Sequence, residues 1–122
     1  MIKPRKLMSS FPYALDGLYL AVKLDQNVRF HLIVSVIVLL FSFYFKITVI
    51  EFLFVLLAIF FVLISEMVNT AIEEMTNLIT REHHENAKVA KDIAAGAVLL
   101  SVIFSVVIGV IIFIPRVLSL LS

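Results

Sequence analysis

A row of acidic and amide side chains follows directly on an apolar run in the middle of the chain. The segment SEMVNTAIEEMTNLI (65–79) continues from the uncharged run FLFVLLAIFFVLI with no glycine or proline between them. Five polar residues recur at i, i+3, i+4, i+7 and i+11, the spacing of one helix face: Glu66, Asn69, Thr70, Glu73 and Asn77. Such a face carries the groups needed for proton transfer and for metal binding.

Glu66 is the strongest candidate on this face for acid–base chemistry. It adjoins the apolar run, where an unpaired charge costs about 2.5–3.5 kcal/mol even on lenient insertion scales. An ionisable side chain so placed is a functional candidate, and a carboxylate there suits a general base. Glu73 and Glu74 also fit the solvated end of a long helix, and for Glu74 we adopt that interpretation.

A second polar group lies in TREHHENAKVAKDIAAGA (80–97), before and at the start of the next apolar stretch. Lys91 and Asp92 are expected at the same depth as Glu73. Carboxylates beside a lysine suit a divalent cation and a phosphate, because Mg²⁺ is bound by one or two carboxylates together with phosphate oxygens and water. The adjacent histidines fit a surface or a zinc site, and we do not expect them to bind metal. The chain has only three glycines and no glycine-rich phosphate loop, so helices and their ends would have to hold any nucleotide.

Composition places these groups in a membrane. Hydrophobic residues make up 62% of the 122 residues and charged ones 16%, against about 45–50% and about 25% in soluble proteins. The length predicts a single membrane-embedded domain over 1–122. A net charge of +1, with no basic tract beyond KPRK, argues against nucleic-acid binding, and the lack of cysteine excludes disulfides.

The predicted fold is an all-α membrane protein with an N-terminal amphipathic helix and three transmembrane helices. The helix is expected at about 8–26 and the spans at about 29–46, 49–79 and 90–114, the last ending before Pro115. Each apolar stretch is long enough, or nearly so, for a hydrocarbon core of about 30 Å. Aromatic and aliphatic residues beside basic ones suit a first helix in the headgroup layer; packing on the cytoplasmic side of the bundle is the alternative.

Lysine and arginine predict the orientation. Basic residues are concentrated before the first span and in the loop before the third, whereas the KITVIE hairpin has only Lys46 and the C-terminal end only Arg116. Because basic residues gather on the cytoplasmic side, the N-terminus is expected in the cytoplasm and the C-terminus outside, in a multi-pass protein.

Two motifs at a fixed separation resemble the small prokaryotic diacylglycerol kinase family. They are EMVNTAIE (66–73) and AKDIAAGAVL (90–99), and FPYALDGLYLAVKLDQNVRFHL and VIIFIP extend the resemblance over nearly the whole chain. The resemblance implies a bacterial membrane enzyme, a homotrimer with active sites shared between subunits. Its expected reaction is Mg²⁺- and ATP-dependent phosphorylation of a lipid alcohol, with other nucleoside triphosphates also possible as donors. Undecaprenol, the main substrate of the Gram-positive branch, is the first choice and diacylglycerol the second.

The resemblance also implies a role for individual residues. Glu66 corresponds to the catalytic base and Asn69 to the invariant polar residue one turn on. Asp25 and Glu73 correspond to the magnesium ligands. The residues implied in nucleotide binding are Lys6, Tyr13, Glu73, Glu82, His83, His84, Lys91 and Asp92.

Three positions depart from the family pattern. Lys6 stands where an arginine is usual, Asp25 where a glutamate is usual, and Asn77 where an aspartate is usual. The expected outcome is an active enzyme with altered metal affinity or nucleotide preference. The alternatives are a degenerate homologue and a non-catalytic membrane protein that uses Glu66 as an ion path or acts as a partner subunit, since carboxylates in spans also mark ion paths.

Overall fold

The protein is a bundle of long helices joined by short turns. The computed structural model describes residues 4–80 and 84–122, and their side chains from Leu7 onward. The helices are α1 (Pro4–Leu24), α2 (Gln26–Tyr44), α3 (Val49–Ile79) and α4 (Glu85–Leu121). The predicted all-α fold is confirmed, and α2, α3 and α4 are each long and apolar enough to cross a membrane.

Only α3 has both ends where the sequence predicted them; the ends of α1, α2 and α4 differ by two to seven residues, and the structure explains two of these differences. A break at Asp25 ends α1 at Leu24, and Asp25 caps α2 by accepting a hydrogen bond from the Asn27 backbone at 2.8 Å. Helix α4 continues past Pro115, where the prediction had ended it. Proline lacks the amide hydrogen that would bond the Ile111 carbonyl, and helices in lipid tolerate such a loss. The Arg116 guanidinium donates to the next carbonyl, that of Ile112, at 2.9 Å.

Helix α1 is an arm rather than a packed element of its own chain. Residues 7–20 are all exposed, including Phe11, Leu15 and Leu18 on its apolar side. This exposure argues against packing on the bundle of the same subunit and supports the bilayer-surface interpretation. The end of α1 is nevertheless fixed, because Arg29 donates to the Val22 and Lys23 carbonyls, both at 2.8 Å.

The core follows one buried stripe along α3. Its apolar half consists of Val55, Ala58 and Val62, and α3 packs along α4 over most of its length and against α2 less extensively. Small residues allow the close approach: the Ser105 hydroxyl of α4 lies 3.3 Å from the Ala58 carbonyl of α3. The same stripe continues as Glu66 and Asn69, so the helix that forms the core also carries the polar face.

At the end of the bundle far from Glu66, a bidentate ion pair joins α4 to α3. Arg116 of α4 donates to both carboxylate oxygens of Glu51, at 2.6 and 2.8 Å. Glu51 also completes a capping box with Thr48 at the start of α3. The pair therefore joins the C-terminal part of α4 to the first turn of α3.

We expect Glu51→Gln and Arg116→Gln each to lower the midpoint of thermal unfolding in detergent, because each leaves a half-buried charge without its partner. Glutamine at position 51 keeps a side-chain oxygen that can accept the hydrogen bond from the Thr48 backbone. The substitution therefore tests the negative charge of Glu51 and not the helix cap. The double variant should unfold no earlier than the less stable single variant. Lys88→Gln is the control, since it breaks only the exposed Lys88–Asp92 pair. Additive losses in the double variant would show that the two charges act independently.

Candidate active site

Glu66 is buried within a single subunit at the point where the α3 stripe becomes polar. Only 2% of the residue is exposed. Its carboxylate faces the first turns of α2, where the His31 imidazole lies 3.9 Å away and the side chains of Asn27 and Asp25 are close enough to interact with it. A carboxylate shielded from water in this way suits a base that must act on a hydroxyl at the membrane boundary.

The α1–α2 junction is joined to this site through Thr70. The Thr70 hydroxyl donates to the Asp25 carboxylate and lies 3.0 Å from the Glu66 carbonyl oxygen. Asp25 is therefore held one turn from Glu66 by the same residue that contacts the Glu66 backbone. Since Asp25 also begins α2, the geometry of the helix junction determines where this carboxylate lies.

Asn69 and Glu73 extend the cluster along α3. The Asn69 amide group donates to the Glu73 carboxylate at 3.4 Å, and the carboxylates of Glu73 and Asp25 are both near enough to repel that of Glu66. Asn69 is buried, and its amide oxygen has no hydrogen-bond partner among the described residues. A buried acceptor without a partner is costly, so a cation or donor reaching this oxygen would offset that cost.

These oxygens fit magnesium held together with phosphate. The Asp25 and Glu73 carboxylates and the unpaired Asn69 oxygen are all hard oxygen donors of the kind that Mg²⁺ prefers. Over residues 4–80 and 84–122, no three His, Asp or Glu side chains form a metal cage by themselves. One or two carboxylates completed by phosphate oxygens and water is the usual arrangement for Mg²⁺ in nucleotide sites.

Lys91 lies beside the far end of the polar face. Its ammonium donates to the Asn77 side-chain oxygen at 2.7 Å, which joins the first turns of α4 to the last turns of α3. Of the side chains that the structure describes, no carboxylate is within ion-pair distance of Lys91. Asp92, in contrast, is paired with Lys88 at 2.6 Å and is exposed. Among the described side chains, the Lys91 ammonium therefore has no acidic partner, and it lies beside Asn77, one helix turn beyond Glu73.

The structure brings some of the predicted site residues together and leaves others apart. Those gathered around Glu66 or at the α3–α4 end are Asp25, Asn69, Glu73 and Lys91. Tyr13 is exposed on α1, and His84 caps α4 by accepting a hydrogen bond from the Asn86 backbone at 3.2 Å. Glu82, His83 and the side chain of Lys6 lie outside the described part of the chain.

The sequence analysis missed two residues of the cluster, Asn27 and His31. It named Thr70 but did not predict its contact with Asp25. A signal for His31 was available, because it is an ionisable residue inside the first apolar stretch. It also shares a helix face with Ser35 and the buried Ser42, at the i, i+4 and i+11 spacing of a packed stripe. The Asp25–Thr70 contact joins positions 45 apart, and no local pattern predicts it.

Comparison with known proteins identifies the family of the chain. The family model described as prokaryotic diacylglycerol kinase matches residues 12–113, most of the chain. The chain belongs to this family. It is therefore an enzyme of the lipid kinase class, anchored in a membrane by its apolar helices.

Two relatives within this kinase family have curated names. The chain is 37% identical over 111 residues to the undecaprenol kinase of Bacillus subtilis, covering 91% of this chain and 90% of that one. It is 37% identical over 116 residues to the diacylglycerol kinase of Synechocystis sp., covering 94% of this chain and 66% of that one. Because the chain is equally identical to two kinases that are named for different lipids, sequence identity does not distinguish between these lipids as substrates.

Proposed function

We propose that this kinase transfers the γ-phosphate of ATP to the hydroxyl of a membrane lipid alcohol at the cytoplasmic face of the bacterial cell membrane. Undecaprenol is the preferred acceptor and diacylglycerol the second. The observation that carries the proposal is the buried Glu66 carboxylate, which lies inside one subunit close to the carboxylates of Asp25 and Glu73.

Glu66 takes the proton from the lipid hydroxyl as the hydroxyl oxygen forms a bond to the γ-phosphorus. The bond from that phosphorus to the bridging oxygen breaks, ADP leaves, and the proton on Glu66 is then released to water. Asn69 holds Glu73 in place through its amide group. Magnesium, held by Asp25 and Glu73, would neutralise the phosphate charge, and the Lys91 ammonium would add to this. Because phosphoryl transfer depends mainly on positioning and charge compensation, so small a set of residues is sufficient.

The protein is proposed to be a homotrimer whose nucleotide sites are shared between neighbouring subunits, with the N-terminus in the cytoplasm. The base, the metal ligands and Lys91 all come from one chain, whereas Tyr13 lies on the exposed arm α1. An arm with few contacts to its own bundle is free to contact the site of a neighbour. Tyr13 and Lys6 would then approach a nucleotide bound to the next subunit.

The direct test is an assay of the purified protein in lipid bilayers with γ-phosphate-labelled ATP and magnesium. Undecaprenol and diacylglycerol are supplied separately, and label in lipid phosphate is measured. We expect labelling of undecaprenol phosphate to exceed that of phosphatidate. A protein that labels neither lipid but conducts protons without ATP would instead be an ion path, and the kinase proposal would be rejected.

Asn77→Asp is expected to raise KM for ATP several-fold with a smaller effect on kcat. The new carboxylate would pair with Lys91 at the present 2.7 Å contact, and an ammonium already paired attracts phosphate less strongly. KM and kcat for the nucleotide are measured at saturating lipid. Asn86→Asp, the same change in the exposed first turn of α4, is the control. An unchanged KM in Asn77→Asp would show that the charge on Lys91 does not act on the nucleotide.

A further inference from the structure

An apolar cleft runs along the bundle from the candidate base between the helices that are long enough to cross a membrane. Its volume is about 370 Å³ and its walls come from α2, α3 and α4. Phe30, Val34 and Val62 line it near Glu66, and Ala58, Ser105 and Gly109 line it further along. Val62 is one helix turn from Glu66, so the cleft begins where the polar face of α3 ends.

Apart from His31 at the end near Glu66, the walls of the cleft offer little to a polar ligand. Ser35 and Ser105 are its hydroxyl residues, and their hydroxyls already donate to the carbonyls of His31 and Ser101, at 2.6 and 3.0 Å. The remaining lining is almost entirely aliphatic. An occupant of this cleft is therefore hydrocarbon rather than a headgroup.

The cleft and the base site are continuous through His31. The imidazole lines the cleft and lies 3.9 Å from the Glu66 carboxylate. A hydrocarbon chain in the cleft would therefore place its attached polar end beside Glu66. Between Glu66 and Val55, the farthest α3 residue of the lining, α3 rises about 16 Å, which is the length of chain the cleft covers.

We propose that this cleft holds the first part of the hydrocarbon chain of the lipid alcohol and, by its width, selects alcohols with a single chain. The inference rests on the proposed kinase function and deepens it. The volume is at the lower end of the roughly 300–1,000 Å³ usual for ligand sites, so one chain fills the cleft and a second chain must remain in the bilayer. A polyprenol places its only chain there, whereas a diacylglycerol gains the contacts of one chain and leaves the other outside.

A helix from a second copy of the protein fits this space poorly. A helix with its side chains is about 10–12 Å across, and over the length of the cleft it would need several times the available volume. A flexible hydrocarbon chain, unbranched or methyl-branched, fits a narrow path of this kind between three helices. Oligomeric state is nevertheless one of the measurements below.

Gly109 offers a substitution that fills the cleft from inside. A Cβ atom built at Gly109 meets nothing within 4 Å, so a larger side chain enters the cleft without a backbone collision. Gly109→Leu is compared with Gly109→Ala, which shares the gain in helix propensity, and with Val110→Leu on the exposed side of α4 at the same depth. From α2, Val34→Phe fills the cleft near its mouth, and Val36→Phe, which is exposed and does not line it, is the control.

The readout is kcat/KM for undecaprenol and for geraniol, a two-isoprene alcohol too short to reach Gly109. We expect Gly109→Leu to lower kcat/KM for undecaprenol on the order of tenfold, the value of a few buried methylene groups, and to leave that for geraniol near the wild-type value. Val34→Phe should lower both. The three other variants should behave like wild type.

Three results would overturn the proposal. One is an equal loss on both alcohols in a correctly assembled Gly109→Leu protein, and the second is no loss on either. The third is a changed oligomeric state in Gly109→Leu, measured by light scattering in detergent, which would make the cleft a subunit interface. A wild-type protein inactive on every alcohol would instead reject the proposed kinase function itself.

Discussion

Glu66→Gln is expected to abolish measurable transfer of phosphate to the lipid, with a fall in kcat on the order of 10²–10⁴-fold. Glutamine has the same shape and can still occupy the buried position facing His31 and Asn27, but it cannot accept the proton of the lipid hydroxyl. Because the change removes a charge rather than adding one to a buried site, the fold should be unaffected. KM for ATP should change little, since the base does not contact the nucleotide in the proposed arrangement.

Glu74→Gln is the matched control for this experiment. It makes the same chemical change on the same helix, two turns further along, where the side chain is exposed. We expect wild-type kcat for this variant, measured with the same labelled-lipid assay and the same thermal unfolding profile as for Glu66→Gln. Full activity in Glu66→Gln would contradict the assignment of the base, and a loss in both variants would indicate a general requirement for acidic charge on α3.

Lys91→Met is expected to lower kcat on the order of 10²–10³-fold, the usual effect of removing one donor that stabilises charge in the transition state. Methionine keeps the length and the apolar stem of lysine while losing the ammonium. It also breaks the hydrogen bond to Asn77, so Asn77→Ala is measured beside it to separate the loss of the charge from the loss of that link. We expect Asn77→Ala to retain most of the activity.

Lys46→Met provides the control for the charge itself. This lysine lies in the hairpin between α2 and α3, at the opposite end of the bundle, and its removal should leave kcat unchanged. The two lysine variants are compared at several salt concentrations, because a charge that acts on phosphate through solvent is screened. Equal kcat in Lys91→Met and wild type would remove Lys91 from the phosphate site.

The positions of Glu66 and its neighbours along α3 could be predicted from the sequence, since helical spacing alone places them on one face. The length of α3 could also be predicted, because no glycine or proline interrupts it. Both predictions depend on interactions within a few residues along the chain, where periodicity and propensity are informative.

The partners of that face on other helices could not be predicted in the same way. The Thr70–Asp25 contact and the approach of His31 to Glu66 depend on the rotation of α2 about its axis, which is set by packing rather than by local pattern. The path of α4 through Pro115 was likewise missed, since the proline rule for soluble helices does not hold where lipid leaves the backbone no alternative to a helix. The end of α1 at Leu24 depends on the Arg29 contacts, which form only once α2 has turned back on it.

The unequal packing of the helices has a mechanical consequence. Helices α3 and α4 pack along their length and are joined at one end by Arg116 and Glu51. Helix α2 packs less extensively on α3 and is tied to it at both ends, by the Asp25–Thr70 contact and by the hairpin where the Phe43 and Phe52 rings meet. A small outward displacement of the middle of α2, where it lines the cleft, would therefore leave the α3–α4 pair undisturbed. A long isoprenoid alcohol would enter the cleft laterally from the surrounding leaflet, so its tail would never have to pass through water.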